Sequence, residues 1–93
     1  MFQTNEYFDG KVKSLTFQTE TLPATVGVMA PGDYAFNTGD KEKMTVVSGA
    51  MTVSLPGETH PRIYEAGKSF DVPANSSFDV SVSVETAYLC LYG

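Results

Sequence analysis

Glu42 is the side chain with the widest chemical reach in this sequence. Strand alternation along Glu42-Lys-Met-Thr-Val-Val-Ser-Gly49 puts Met44, Val46 and Ser48 on its side. A carboxylate set among apolar neighbours accepts hydrogen bonds from hydroxyl groups and favours a developing positive charge. The same parity joins Phe36 to Tyr34 and Thr38, and Phe78 to Val80 and Val82. Such a lining, aromatic and sulfur-rich with one acidic anchor, suits a planar ligand that carries hydroxyl groups. Two turns, Asn37-Thr-Gly39 and Asn75-Ser-Ser77, offer N–H groups and hydroxyls of the kind that cradle small anions.

Imidazole is what these positions lack. The chain has one histidine, His60, and it falls in a turn cluster where solvent exposure is expected. A lone carboxylate without imidazole is a poor site for zinc, iron, nickel or copper, so no metal is expected. Cys90 alternates with Tyr88 and Tyr92 and has no histidine near it in sequence to activate it, so it reads as a small buried hydrophobe. Lys11, Lys13 and Arg62 read as solvated, although a steering role for the two lysines stays open.

The elements that must hold these residues are strands. Ser77–Glu85 alternates without a break: Phe78, Val80, Val82 and Val84 on one face, Asp79, Ser81, Ser83 and Glu85 on the other. Val47, Met51, Val53 and Leu55 alternate through a run that has Gly49 at a bend or bulge. Residues 11–18, 25–29, 34–37, 62–65 and 86–92 are further strand candidates. Turn signals separate them at Pro31-Gly-Asp33, Asn37-Thr-Gly-Asp40, Pro56-Gly57, Ala66-Gly67 and Pro73-Ala-Asn75. Short strands at near-regular spacing predict an all-β sandwich or barrel, and closure would spare it long exposed edges.

Ninety-three residues make one domain, 1–93. A chain of this size buries only roughly 60–65% of its unfolded surface, which makes an oligomer, most simply a homodimer, an expected remedy. The net charge of −5, with no basic block, argues against a nucleic-acid partner. The longest apolar run, Ala87–Tyr92, is too short to cross a bilayer, and no signal-peptide pattern opens the chain; a cytoplasmic protein without a membrane partner is expected. The single cysteine precludes an internal disulfide.

Glu42 with Gly49, followed by Gly67-Lys-Ser-Phe-Asp-Val-Pro73, resembles the two-motif skeleton of the cupin superfamily, a double-stranded β-barrel of jelly-roll type. The match is partial. Phe36 and Thr38, or Ala35 and Asn37, stand where the family's first two metal histidines would be, and Phe78 stands at the third. Across residues 5–92, Asn5 to Ser14, Ala24 to Met29, Glu42 to Gly49, Tyr64 to Gly67 and Tyr88 to Cys90 together resemble the small bacterial pyrimidine/purine nucleoside phosphorylases.

That resemblance implies a metal-independent pentosyltransferase of broad specificity. It would cleave purine and pyrimidine nucleosides with inorganic phosphate as co-substrate and need no other cofactor. Glu42 would be the catalytic residue, with Tyr34, Phe36, Thr38, Met44, Ser76, Ser77, Phe78 and Tyr88 around the substrates. Two alternatives stay open on the residues alone: a non-catalytic small-molecule-binding barrel, and a metal-dependent cupin enzyme with unusual ligands. Glu42 could equally be a solvated residue before a strand, Phe36 and Phe78 plain core, and Ser76 and Ser77 ordinary turn residues.

Overall fold

The computed structural model describes residues 2–93 as ten strands and no helix. In chain order they are β1 (Gln3–Tyr7), β2 (Val12–Gln18), β3 (Pro23–Met29), β4 (Gly32–Asn37), β5 (Glu42–Ser48), β6 (Ala50–Ser54), β7 (Arg62–Glu65), β8 (Ser69–Val72), β9 (Ser77–Val82) and β10 (Thr86–Tyr92). They pair antiparallel into a six-stranded sheet, β1-β2-β3-β10-β5-β8, and a four-stranded sheet, β4-β9-β6-β7. The chain leaves the large sheet for the small one at Gly49, where a positive φ of 89° turns β5 into β6.

A closed barrel is therefore not what forms. Ladder hydrogen bonds stop at β1 and β8 in one sheet and at β4 and β7 in the other, so the layers meet through side chains as a sandwich. The reason is bulk between the layers. Met29, Met44, Tyr88 and Val72 face Met51, Phe78, Val80 and Val82 across one core, and such interdigitating side chains hold sheets about 10 Å apart, twice the spacing of hydrogen-bonded strands. Other differences are local. The alternating run from Ser77 ends at Val82, because residues 83–84 bend toward β10. Gly32 and Asp33 already belong to β4 rather than to a turn.

Inward parity follows the sequence pattern in most strands. Tyr34, Phe78, Val80 and Val82 are each at most 4% exposed, as are Met44 and Val46 of β5. Between β5 and β10 the register slips at Ala87/Tyr88, so that Ala87 faces Ser48 but Tyr88 faces Val46. This bulge keeps the inward parity of Tyr88, Cys90 and Tyr92 in step with that of Met44 and Glu42.

Candidate functional site

Between the two layers, at the end where β4 and β5 are joined, lies a cavity of ≈ 370 Å³. Its size falls within the range of pockets that hold small organic ligands. Glu42 and Met44 enter it from β5, Tyr88 and Tyr92 from β10, and Ser14, Met29 and Tyr7 from β2, β3 and β1. The small sheet closes the other side with Phe36, Asn37 and Phe78, and the following loop adds Gly39 and Asp40. A larger depression of ≈ 610 Å³, lined by Leu22, Lys41, Lys43, Asp71 and Leu91 among others, lies along the rim and meets the cavity only at Glu42. The smaller cavity is the better site, because both sheets enclose it and its walls are aromatic.

The mouth of the cavity is fixed by a clamp of two turns. The Thr38 hydroxyl donates to the Pro73 carbonyl at 2.7 Å and accepts from the Ser76 N–H at 2.9 Å. The Thr38 N–H donates to the Ser76 carbonyl, and the Asn75 N–H to the Gly39 carbonyl. With those donors spent, the turns hold each other and aim Asn37 and Gly39 at the cavity. Ser76 Oγ donates to the Ala74 carbonyl, and Ser77 is exposed on the outward face of β9.

The aromatic wall is continuous. Phe36 stacks on Phe78 with centroids 5.5 Å apart and 29° between planes, and Phe8 meets Phe36 edge-on at 5.6 Å. Phe8 sits at the β1–β2 turn with φ 54°, which lets the turn fold back over the small sheet. Tyr34 packs under Phe8 at 4.9 Å and spends its hydroxyl on the Ala30 carbonyl. It supports the wall from behind and does not line the cavity.

The opposite wall supplies the polar groups. Tyr88 lies over Gly27, where a Cβ would come within 2.7 Å of both the phenol oxygen and the Lys13 carbonyl. That missing side chain is what makes room for the phenol. Burial, against the Ser14 contact, pushes the Tyr88 hydroxyl up to about 12, so it stays a proton donor at neutral pH. Burial likewise raises Tyr92, whose hydroxyl is 2.9 Å from Thr25 Oγ1. Glu42 is half-buried, and loss of water lifts its carboxyl above the ordinary glutamate value, partly offset by a hydrogen bond from Cys90.

Among the residues singled out in the sequence, the fold brings Glu42, Phe36, Met44, Phe78 and Tyr88 to one cavity, and leaves Tyr34, Thr38, Ser76 and Ser77 off its lining. Asn37 and Gly39, from one of the two candidate anion turns, line it as well, and Tyr7, Ser14, Met29, Asp40 and Tyr92 join it from outside the singled-out residues. Their signals were present only in part: Tyr92 shares the parity of Tyr88, and Ser14 that of Val12, but nothing local marks Tyr7. Among the described residues no three His, Cys, Asp or Glu side chains converge. His60 lies exposed in the β6–β7 loop beside an Arg62–Glu58 ion pair of 3.3 Å, away from the cavity.

Known proteins resemble the chain over its whole length. The family profile described as pyrimidine/purine nucleoside phosphorylase matches residues 2–92. Proteins of that name from Magnetococcus marinus and Alcanivorax borkumensis are 62% and 59% identical over 93 residues, covering 100% of this chain and 100% and 99% of theirs. A crystal structure of a protein of unknown function from Vibrio parahaemolyticus superposes with a TM-score of 0.95 at 48% identity, over 100% of this chain and 99% of that one. An RmlC-like cupin from Shewanella frigidimarina has the same fold, with a TM-score of 0.77 at 19% identity over 98% and 82% of the chains.

Proposed function

The chain belongs to the pyrimidine/purine nucleoside phosphorylase family, and from that premise we propose that the Glu42 cavity is where it splits purine and pyrimidine nucleosides with inorganic phosphate. The observation that supports this placement is a single half-buried carboxylate facing an aromatic wall within a cavity that both sheets enclose.

In this reading a phosphate oxygen attacks the anomeric carbon and the C1′–N bond breaks. The bonding pair leaves with the base, which takes up a proton, and the pentose keeps the new bond as its 1-phosphate. The Glu42 carboxylate accepts hydrogen bonds from the pentose hydroxyls and offsets the positive charge that grows on the ring as the bond stretches. Phe36 and Phe78 give the base an apolar face, which tolerates any heterocycle and suits broad specificity. Tyr88, kept neutral by burial, donates to developing negative charge. Phosphate enters at the mouth, between the Asn37 amide and Gly39.

Among the described residues no three His, Cys, Asp or Glu side chains converge at Glu42 to complete a metal site, so turnover is proposed to need phosphate and no metal. Incubation with uridine or adenosine should release free base and pentose 1-phosphate only when phosphate is present, and chelator should leave the rate unchanged. Binding without phosphate-dependent release would overturn the reading in favour of a non-catalytic pocket.

A second copy of the chain is proposed to cover the outward face of the large sheet, with residues 1–93 of each chain forming a single cupin-like domain. Outward faces of sandwich sheets are normally polar. Here Leu15, Val26, Val28 and Val47 are 42–56% exposed and, with Ala87, Leu89 and Leu91 between them, form one apolar band across β2, β3, β10 and β5. A contiguous patch of this kind on a 10.0 kDa chain marks an interface, and a face that can meet itself gives a two-fold dimer. Light scattering should find twice the chain mass, and Val28→Glu should halve it; a wild-type monomer would refute the dimer.

A further inference from the structure

Three polar side chains near the cavity, two buried and one half-buried, are left without a task by the mechanism above: Thr25, Cys90 and Tyr92. They form a string across β3, β10 and β5. Thr25 lies directly opposite Cys90 in the ladder, and Tyr92 lies directly opposite Glu42. The Thr25 and Tyr92 hydroxyls are 2.9 Å apart, the Tyr92 hydroxyl lies near the Cys90 sulfur, and the Cys90 thiol donates to Glu42 Oε1 at 3.4 Å. The string ends on one oxygen of the carboxylate, and that is the only hydrogen bond made by the Glu42 side chain among the described residues.

We propose that Cys90 is a positioning residue for Glu42, its thiol holding one carboxylate oxygen beside the Thr25–Tyr92 hydroxyl pair, so that the other oxygen meets the pentose. This rests on Glu42 being the catalytic carboxylate. A thiol suits the place because it packs as a small apolar group against Met44, its ladder partner, and still supplies one weak donor. Cys90 is 1% exposed, and burial together with the negative charge of Glu42 holds it as S–H, so it acts as donor and not as nucleophile.

Few other groups compete for the carboxylate. From β10 it faces Cys90 and Tyr92, with Tyr88 beyond them; from β1, Tyr7 stands across the cavity. From β8 the opposite residue is Val72, with Asp71 beside it on the outward side, and along its own segment the charged neighbours are Asp40, Lys41 and Lys43.

The test compares wild type, Cys90→Ala and Cys90→Ser by two readouts: titration of the Glu42 carboxyl carbon by NMR, and the acid limb of kcat/KM for phosphate-dependent base release. Alanine removes the donor, so titration and acid limb should move up in pH together and kcat/KM should fall about tenfold. Serine restores a donor, so both should move back down, with kcat/KM within about threefold of wild type. If both variants lose activity alike while neither curve moves, Cys90 only packs and the proposal is overturned. If the titration moves but Glu42→Gln turns over at the wild-type rate, the reading of Glu42 fails and takes the positioning role with it. Should alanine prevent folding, Cys90→Val removes the donor while filling the space and is read in its place: an unmoved titration in that variant overturns the proposal.

Discussion

Glu42→Gln is expected to lower kcat/KM for phosphate-dependent base release by about two to three orders of magnitude while the chain stays folded. Glutamine keeps the length and hydrogen-bonding capacity of the side chain but removes its charge. The loss thus measures the electrostatic share of catalysis, which is large where water is excluded and the charge needs no reorganisation. Uridine or adenosine with saturating phosphate gives the rate, and free base is the readout. Turnover at the wild-type rate would remove Glu42 from the mechanism.

The same substitution carries a second, opposite signature. Burial raises the Glu42 carboxyl above its ordinary value, so the folded protein holds that proton more tightly than the unfolded chain does. Stability linked to this group is then fully present at low pH, below the ordinary glutamate range, and is lost as pH rises through the raised folded value. Glutamine has no charge to desolvate. The variant should melt at the same or a higher temperature than wild type at pH 7, and its melting temperature should lose that part of its pH dependence. In the wild-type enzyme the carboxylate is needed charged, so activity should fall on acidification through the same raised value. Loss of activity with gain of stability is hard to explain by a structural role alone.

How far the site could be read from the sequence depends on which interactions place each residue. Period-2 alternation is a local signal, and it sufficed for Phe78, Val80 and Val82 in β9 and for Met44 and Val46 in β5. Glu42 was found because its parity relative to Met44 decides its face. β1 carried no such signal: Gln3, Asn5 and Tyr7 point one way and Thr4 and Glu6 the other, with no apolar stripe on either side. What pins it is long-range, the Asn5 amide donating to Thr16 at 2.9 Å and Ser14 at 3.2 Å across the β1–β2 ladder. Tyr7 was invisible for that reason.

The residues misplaced in the other direction fail for a related cause. Thr38 reads as a polar turn residue with a free hydroxyl, but its partners, the Pro73 carbonyl and the Ser76 N–H, lie 35 to 38 positions away in the facing turn, while the Ser76 hydroxyl turns to Ala74 and Ser77 points outward from β9. A hydroxyl satisfied at such a distance cannot be told from an available one without the fold. The barrel expectation was legible in strand number and turn spacing, but whether two layers bond edge to edge or pack face to face depends on the volume between them. Methionine and phenylalanine from both sheets fill that volume here.

Gly49→Ala should cost the fold about 3 kcal/mol. Two independent penalties meet at this residue. Its φ of +89° is a backbone state that residues with a Cβ adopt only at a cost of about 1–2 kcal/mol. A Cβ there would also lie 2.5 Å from Thr86 Oγ1 and 3.0 Å from the Glu85 carbonyl. Thr86 cannot retreat: it is fully buried at 0% exposure, its hydroxyl donates to the Val84 carbonyl at 3.0 Å, and its backbone starts β10. Overpacking of this kind adds about 1–3 kcal/mol. Gly67 gives the control, since its φ of +88° is nearly the same but nothing lies within 4 Å of a Cβ there. Gly67→Ala should therefore lose only the backbone term, near 1 kcal/mol. For a chain of this length the melting temperature should fall by about 15 °C for Gly49→Ala and about 5 °C for Gly67→Ala. Equal falls would mean that Gly49 matters for its backbone angle alone. Unequal falls place the rigidity where the chain changes sheets, at the bend that sets β5 against β10 and so brings Glu42 to Tyr88, Cys90 and Tyr92.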